Sequence, residues 1–196
     1  MNRNIKSLWQ CEPSVFTDFL ERLDYGHAPH WAGCYCRFYH GDMEFENWKK
    51  RMPLENKIEA VDAISKREMH GFLAFDNEMC IGWLNANDAH SFLRLKSVLP
   101  DSIKDKRVAL TICFVIDPQY RNQGVATALL EAAIRHYRQL GYDGMLAAPI
   151  ESEGDFALKY RGTSGMYEKF GYSLLEKAER LSVYWLDFQK IDQKVM

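Results

Sequence analysis

The segment Ile116-Asp117-Pro118-Gln119-Tyr120-Arg121-Asn122-Gln123-Gly124-Val125-Ala126 joins a strongly apolar run to a long amphipathic one. Gly124 and Ala126 leave the start of the following helix nearly bare of side chains, with only Val125 between them. The first N–H groups of a helix have no internal partner, and the aligned peptide dipoles place positive potential there. A small-residue turn leading into a helix is therefore a place where a phosphate can rest against backbone. No Gly-Lys-Ser/Thr follows, so the turn is not a P-loop, and the G-x-G-x-x-G spacing of a dinucleotide fingerprint is absent.

A second group with chemical potential is His27, His30, Cys34, Cys36 and His40. Zinc favours such ligands, but this spacing fits no common structural zinc motif. The group is expected to pack or to line a substrate cleft, with no metal, and a thiol redox pair is the remaining alternative. No His-Glu-x-x-His occurs. In Gly162-Thr163-Ser164-Gly165 the serine stands one place from the second glycine, so it is a first-turn helix residue and not a nucleophile elbow.

The elements that must position these residues follow from periodicity. Val108 to Ile116 is continuously apolar and rich in β-formers, as a central strand covered on both faces would be. Thr127 to Leu140 is an amphipathic helix with Val125, Leu129, Ala133, Ile134, Tyr137 and Leu140 in one apolar stripe, and Gly141 ends it. Gly71 to Phe75 and Met79 to Asn85 are expected to pair across Asp76-Asn77-Glu78, which is turn chemistry. Helices are expected over Ser14 to Leu23 with Ser14 as N-cap, over Phe45 to Arg51 closed by Pro53, and over Lys57 to Met69 with Ile58, Val61 and Ile64 inward. Trp31 to Tyr39 is expected to be a strand, which would point Cys34 and Cys36 to the same side. Asn87 to Lys106 is expected to be less regular, with a helical turn near Phe92 to Leu95. Met145 to Ala148, a short helix over Thr163 to Phe170, and a closing antiparallel pair, Ser173 to Leu175 with Leu181 to Phe188, complete an α/β or mixed α+β order.

The 196 residues are expected to form one domain, and a 47% apolar share is enough for a sizeable core. Charges balance to −2 and are interspersed, so no basic stripe for nucleic acid is present. No apolar run reaches the length of a membrane span, and no signal peptide is visible at the start. Five cysteines without an export signal point to reduced thiols and a cytoplasmic location. Exposed edge strands leave a homodimer open.

The turn, the Ala-Leu-Leu-Glu-Ala-Ala helix behind it, Leu140-Gly141-Tyr142 and Met166-Tyr167-Glu168-Lys169-Phe170-Gly171-Tyr172 stand in order at compatible spacing. Together they resemble the GNAT family of N-acetyltransferases, and Cys80-Ile81-Gly82-Trp83-Leu84 resembles the family's second-strand pattern. The resemblance is firm over Val108 to Tyr172, moderate over Gly71 to Asn85, and rests on element order before that. It implies a central twisted mixed sheet, mostly antiparallel, with helices on both faces. Residues 1–70 would form the acceptor side and residues 71–196 the acetyl-CoA-binding core. It also implies acetyl-CoA as donor and direct attack by a primary amine of a small molecule or peptide. Backbone amides of Arg121, Asn122, Gln123, Gly124, Val125, Ala126 and Thr127 would grip the pyrophosphate. Phe114, Val115 and Ile116 would pair with the pantetheine arm, and Tyr167 would be the general acid. The aromatic first half would shape the acceptor cleft, with Trp83 and Asn85 as acceptor contacts.

The sequence departs from the family pattern in three places. Tyr160 occupies a slot where many members carry Asn, Gln123 replaces a Gly or basic residue, and Val108 to Ile116 holds no carboxylate. An ammonium must lose a proton before it attacks, and Glu151 or a water chain would take it. The missing strand carboxylate keeps open a non-catalytic acyl-CoA-binding or regulatory protein on the same fold.

Overall fold

Val108–Ile116 forms strand β4 at the centre of a seven-stranded sheet. The computed structural model describes residues 3–26, 28–150, 160–177 and 182–193. The other strands are β1 (Arg3–Ser7), β2 (Gly71–Asp76), β3 (Met79–Asp88), β5 (Gly144–Ala147), β6 (Ser173–Lys177) and β7 (Ser182–Asp187). They lie in the order β1-β2-β3-β4-β5-β7-β6, and only β4 and β5 run parallel. The expected mixed α+β fold, with a mostly antiparallel sheet and helices on both faces, is what the chain adopts.

The unbroken apolarity of β4 has the expected cause. Leu110 and Ile112 face a layer built by α1 (Pro13–Arg22) and α3 (Pro53–Ser65) through Phe16, Phe19, Ala60 and Ile64. Ala109 and Phe114 face α4 (Val125–Gln139) through Leu129, Leu130, Ala133 and Tyr137. Burying each large apolar side chain contributes roughly 1.5–3 kcal/mol, so a strand lined by them belongs at the centre. Gly82 of β3 lets α4 approach, because a Cβ there would stand 2.9 Å from Val125 Cγ1 and 3.3 Å from Leu129 Cδ1.

Two irregularities in β4 matter most. Asn85 pairs with Cys113 but Ala86 pairs with Thr111, so Ile112 is an unopposed bulge residue. On the opposite edge, β5 pairs with β4 only from Val108↔Gly144 to Thr111↔Ala147. Beyond Thr111 the two parallel strands part, and among the described residues no strand pairs with the β5-side edge of β4 through Ile116.

Several expected elements move. Trp31 to Tyr39 is not a strand but 3-10 turns at Pro29–Trp31 and Arg37–Tyr39. Gly33, Tyr35 and Cys36 take positive φ of 76°, 44° and 53°, which curls the chain and breaks the period-two pattern. A Cβ at Gly33 would meet Pro53 Cβ at 2.5 Å, so the loop rests directly on the start of α3. α1 begins at Pro13 with Glu12 as N-cap, two residues before the expected cap Ser14. Pro53 opens α3 where it was expected to close the previous helix, since its missing N–H costs nothing at the first helical position. The inward face of α3 is consequently Asn56, Ala60, Ala63 and Ile64, while Ile58 is 60% exposed. Two further helices are short: α2 (Phe45–Trp48) and α5 (Ser164–Lys169). Strand β1 and a terminal helix α6 (Phe188–Gln193) were not expected. Each is a short segment held by tertiary contact, β1 through its pairing with β2.

Candidate active site

The parting of β4 and β5 opens a cleft of about 300 Å³. Phe114, Val115 and Ile116 line it from β4, and Arg121, Asn122, Gly124, Val125, Ala126 and Thr127 line it from the turn and the first residues of α4. Gln123 is the one expected donor-side residue that does not line it. Its side chain turns back, and Nε2 donates to the Gln119 carbonyl at 2.8 Å.

Local chemistry fixes this turn. Gly124 is the N-cap of α4 at φ 79° and supplies no side chain to the first-turn amides. Asn122 is also left-handed, at φ 58°. A turn of this kind exposes consecutive N–H groups at the positive end of the helix dipole, which suits a phosphate. Asp117 caps the preceding 3-10 turn through Gln119 N at 3.0 Å and pairs with Arg22 at 3.1 Å. Arg121 Nε donates to the Ile116 carbonyl at 3.3 Å, tying the turn to the strand end.

The facing wall comes from Leu23, Asp24, Tyr25, Trp31, Tyr160, Gly162, Thr163 and Met166. Asp24 is the sole carboxylate among the described lining residues. It is exposed, and Oδ1 accepts from Gly26 N at 2.8 Å. Trp31 meets the Tyr160 ring edge-on at 5.1 Å.

Tyr167 stands on α5, which Thr163 caps. It is fully buried and lies just behind the cleft wall. Its hydroxyl donates to the Arg161 carbonyl at 2.7 Å and lies 3.4 Å from Thr111 Oγ1. Burial holds the phenol well above the usual tyrosine range, against the opposing pull of Thr111 and the Arg161 charge. Gly162, which lines the cleft, is its close neighbour: a Cβ there would stand 2.9 Å from the Tyr167 hydroxyl.

Trp83 and Asn85 are not brought to the cleft. Trp83 is fully buried, packs on Phe16 at 4.7 Å and donates its indole N–H to Cys36 Sγ at 3.3 Å. Asn85 is fully buried, with Oδ1 3.3 Å from His40 Nε2. Burial, and then the Arg37 charge, push His40 down to about 4. Glu151 and His27 lie outside the described residues. Cys36 is buried and hydrogen-bonded to Cys113, whose thiol draws it below its ordinary value while Cys113 is held well above. Among the described residues no group of three or more His, Cys, Asp or Glu side chains could hold a metal ion.

One arrangement escaped the sequence. Tyr39, from the curled loop, and Tyr160 share a hydrogen bond between hydroxyls at 2.7 Å. The Arg161 guanidinium reaches both, through Nη2 to Tyr39 Oη at 2.5 Å and Nε to Tyr160 Oη at 3.2 Å. Residues 121 positions apart had no local signal to connect them.

The sequence model of the Acetyltransferase (GNAT) family matches residues 30–172. An N-acetyltransferase from Staphylococcus aureus Mu50 superposes with TM-score 0.56 at 14% identity, covering 95% of this chain and 99% of that one. A PaiA N-acetyltransferase from Thermoplasma acidophilum in complex with coenzyme A gives 0.56 at 14%, covering 96% and 100%. An acetyltransferase from Salmonella typhimurium with its cofactor acetyl-CoA gives 0.55 at 14%, covering 95% and 94%. At these identities the likeness speaks for the fold. No curated protein matches the chain in sequence.

Proposed function

The chain belongs to the GNAT acetyltransferase family, and we propose on that premise that it moves the acetyl group of acetyl-CoA to a primary amine by direct attack. The observation that carries this is the meeting, in one cleft, of the β4 edge that β5 leaves after Thr111 with the N-terminus of α4, which no side chain caps. Acetyl-CoA supplies an acyl group already activated as a thioester. The amides of Arg121 to Thr127 hold its pyrophosphate, and the backbone of Phe114, Val115 and Ile116 pairs with the pantetheine arm as an added strand would. Free backbone N–H groups on β4, beside the Ile112 bulge, polarise the carbonyl.

Tyr167 gives its proton to the departing thiolate. Its hydroxyl must exchange the Arg161 carbonyl for sulfur to do so, and its raised pKa keeps the proton available. Trp83 and Asn85 serve the acceptor side from beneath, through Cys36 and His40. Glu151 is the proposed route for the ammonium proton.

A second reading, acyl-CoA binding without turnover, draws on two observations. The central strand carries no carboxylate, and the Tyr167 hydroxyl is already engaged. Calorimetry with CoA, followed by acetyl-CoA turnover over an amine panel, separates the two. Binding with turnover supports the transferase. Binding without turnover on any amine favours the second reading, and no binding removes both.

A further inference from the structure

We propose that the acceptor carries a carboxylate, held by Arg161 with Tyr39 and Tyr160. This rests on the acetyltransferase reading and adds the substrate class to it. Arg161 is half-buried, and its three assigned bonds all end on uncharged oxygens: Tyr160 Oη at 3.2 Å, Ala148 O at 3.3 Å and Tyr39 Oη at 2.5 Å. Among the described residues no carboxylate pairs with it. A guanidinium has five N–H donors, so donors remain unassigned.

A charge drawn out of water without a counter-ion is costly, and proteins pair such groups or keep them for a ligand. Two aromatic rings lie against this one, Tyr39 at 5.2 Å and Tyr160 at 5.7 Å, and the bond to Ala148 O anchors it where β5 ends. The fork is thus oriented, and no described carboxylate neutralises it. Of the three residues Tyr160 lines the cleft, and the guanidinium reaches the cleft wall through the Tyr160 hydroxyl it holds at 3.2 Å. Arginine matches carboxylate geometry with paired N–H···O bonds, and whichever phenol accepts in the Tyr39–Tyr160 bond keeps its own O–H to donate to the same anion.

The cation has a second consequence. Placed near the incoming amine, it disfavours the ammonium form. That helps supply the neutral nucleophile on a strand that offers no carboxylate. It also disfavours acceptors whose only charge is positive.

The test compares acetyl transfer to phenylalanine and alanine with transfer to their carboxamides, on the wild type and on Arg161→Met and Arg161→Lys. The carboxamides are the less basic amines, so intrinsic reactivity at neutral pH runs against the expected result. The wild type should prefer the carboxylates by ~10-fold or more in kcat/KM. Arg161→Met should lose that preference, mainly through KM, and Arg161→Lys should recover part of it. CoA affinity should be unchanged in both variants. Equal rates, or a preference for carboxamides, on the wild type overturn the proposal and leave the acetyltransferase intact.

Should no amine turn over, calorimetry on the CoA-loaded wild type compares N-acetylphenylalanine with its amide. Tighter binding of the acid supports the proposal, and equal or absent binding overturns it. Loss of CoA binding by the wild type would remove the donor reading itself.

Discussion

The Tyr167 hydroxyl donates to the carbonyl oxygen of Arg161 across 2.7 Å. One residue thereby gives its backbone to the proposed general acid and its side chain to the proposed acceptor anchor. Gly162 is what makes this possible. It stands at φ 81°, where an L side chain is strained, and a Cβ there would lie 2.9 Å from that hydroxyl and 2.7 Å from Met166 Cε.

Gly162→Ala should therefore lower stability by ~1–2 kcal/mol. It should also displace Tyr167 and reduce kcat more than CoA affinity. Denaturant midpoints and calorimetry measure the two effects. An unchanged midpoint would mean that the backbone relaxes freely at this position.

Tyr167→Phe keeps the ring in the core and removes the proton. We expect kcat to fall by ~100-fold with CoA affinity within twofold of wild type. Because burial raises the phenol's pKa, the wild-type rate should not decline through loss of this proton below the ordinary tyrosine value of about 10. A variant with full kcat would move the acid role elsewhere.

Gly124→Glu places bulk and negative charge where the pyrophosphate is proposed to lie. CoA affinity should drop by at least ~100-fold at low salt. Gly124→Asn is the control, because Asn tolerates the left-handed conformation and brings no charge, so it should retain most of the affinity. Equal losses in both variants would assign the effect to the backbone.

Acid stability should reflect two buried histidines. His40 is pushed down to about 4 and His70 to about 3, in both cases first by burial. The unfolded chain binds these protons near pH 6.5, so each group stabilises the fold above that pH. That contribution is lost as pH falls through the folded-state values. In the interval each contributes a slope of ~1.4 kcal/mol per pH unit. Urea midpoints from pH 7 to pH 4.5 measure it, and a flat profile over that range would contradict the depressed values.

The parts legible in the sequence share a physical feature: neighbours in the chain decide them. β4 was read to its ends because eight apolar residues, broken only by Thr111, suit a doubly covered strand. The start of α4 was legible because Gly124 and Ala126 mark a bare helix N-terminus. Trp31 to Tyr39 misled because its aromatics suit a strand, while left-handed Tyr35 and Cys36 are held by contacts far away, including Trp83 to Cys36. Trp83 and Asn85 followed the same logic. Their strand was placed correctly, but alternation cannot say which face α1 and the curled loop will close.

The sequence by itself determined the order of elements from β2 to β7, the phosphate-suited turn and the family, because each is written in local spacing. Only the tertiary structure decided that β5 leaves β4 after Thr111, that Tyr167 faces Arg161, and that Tyr39, Tyr160 and the Arg161 guanidinium meet. The contacts of Tyr39 with Tyr160 and Arg161 join side chains 121 and 122 positions apart. They arise from packing and desolvation across the sheet, which no window of sequence contains.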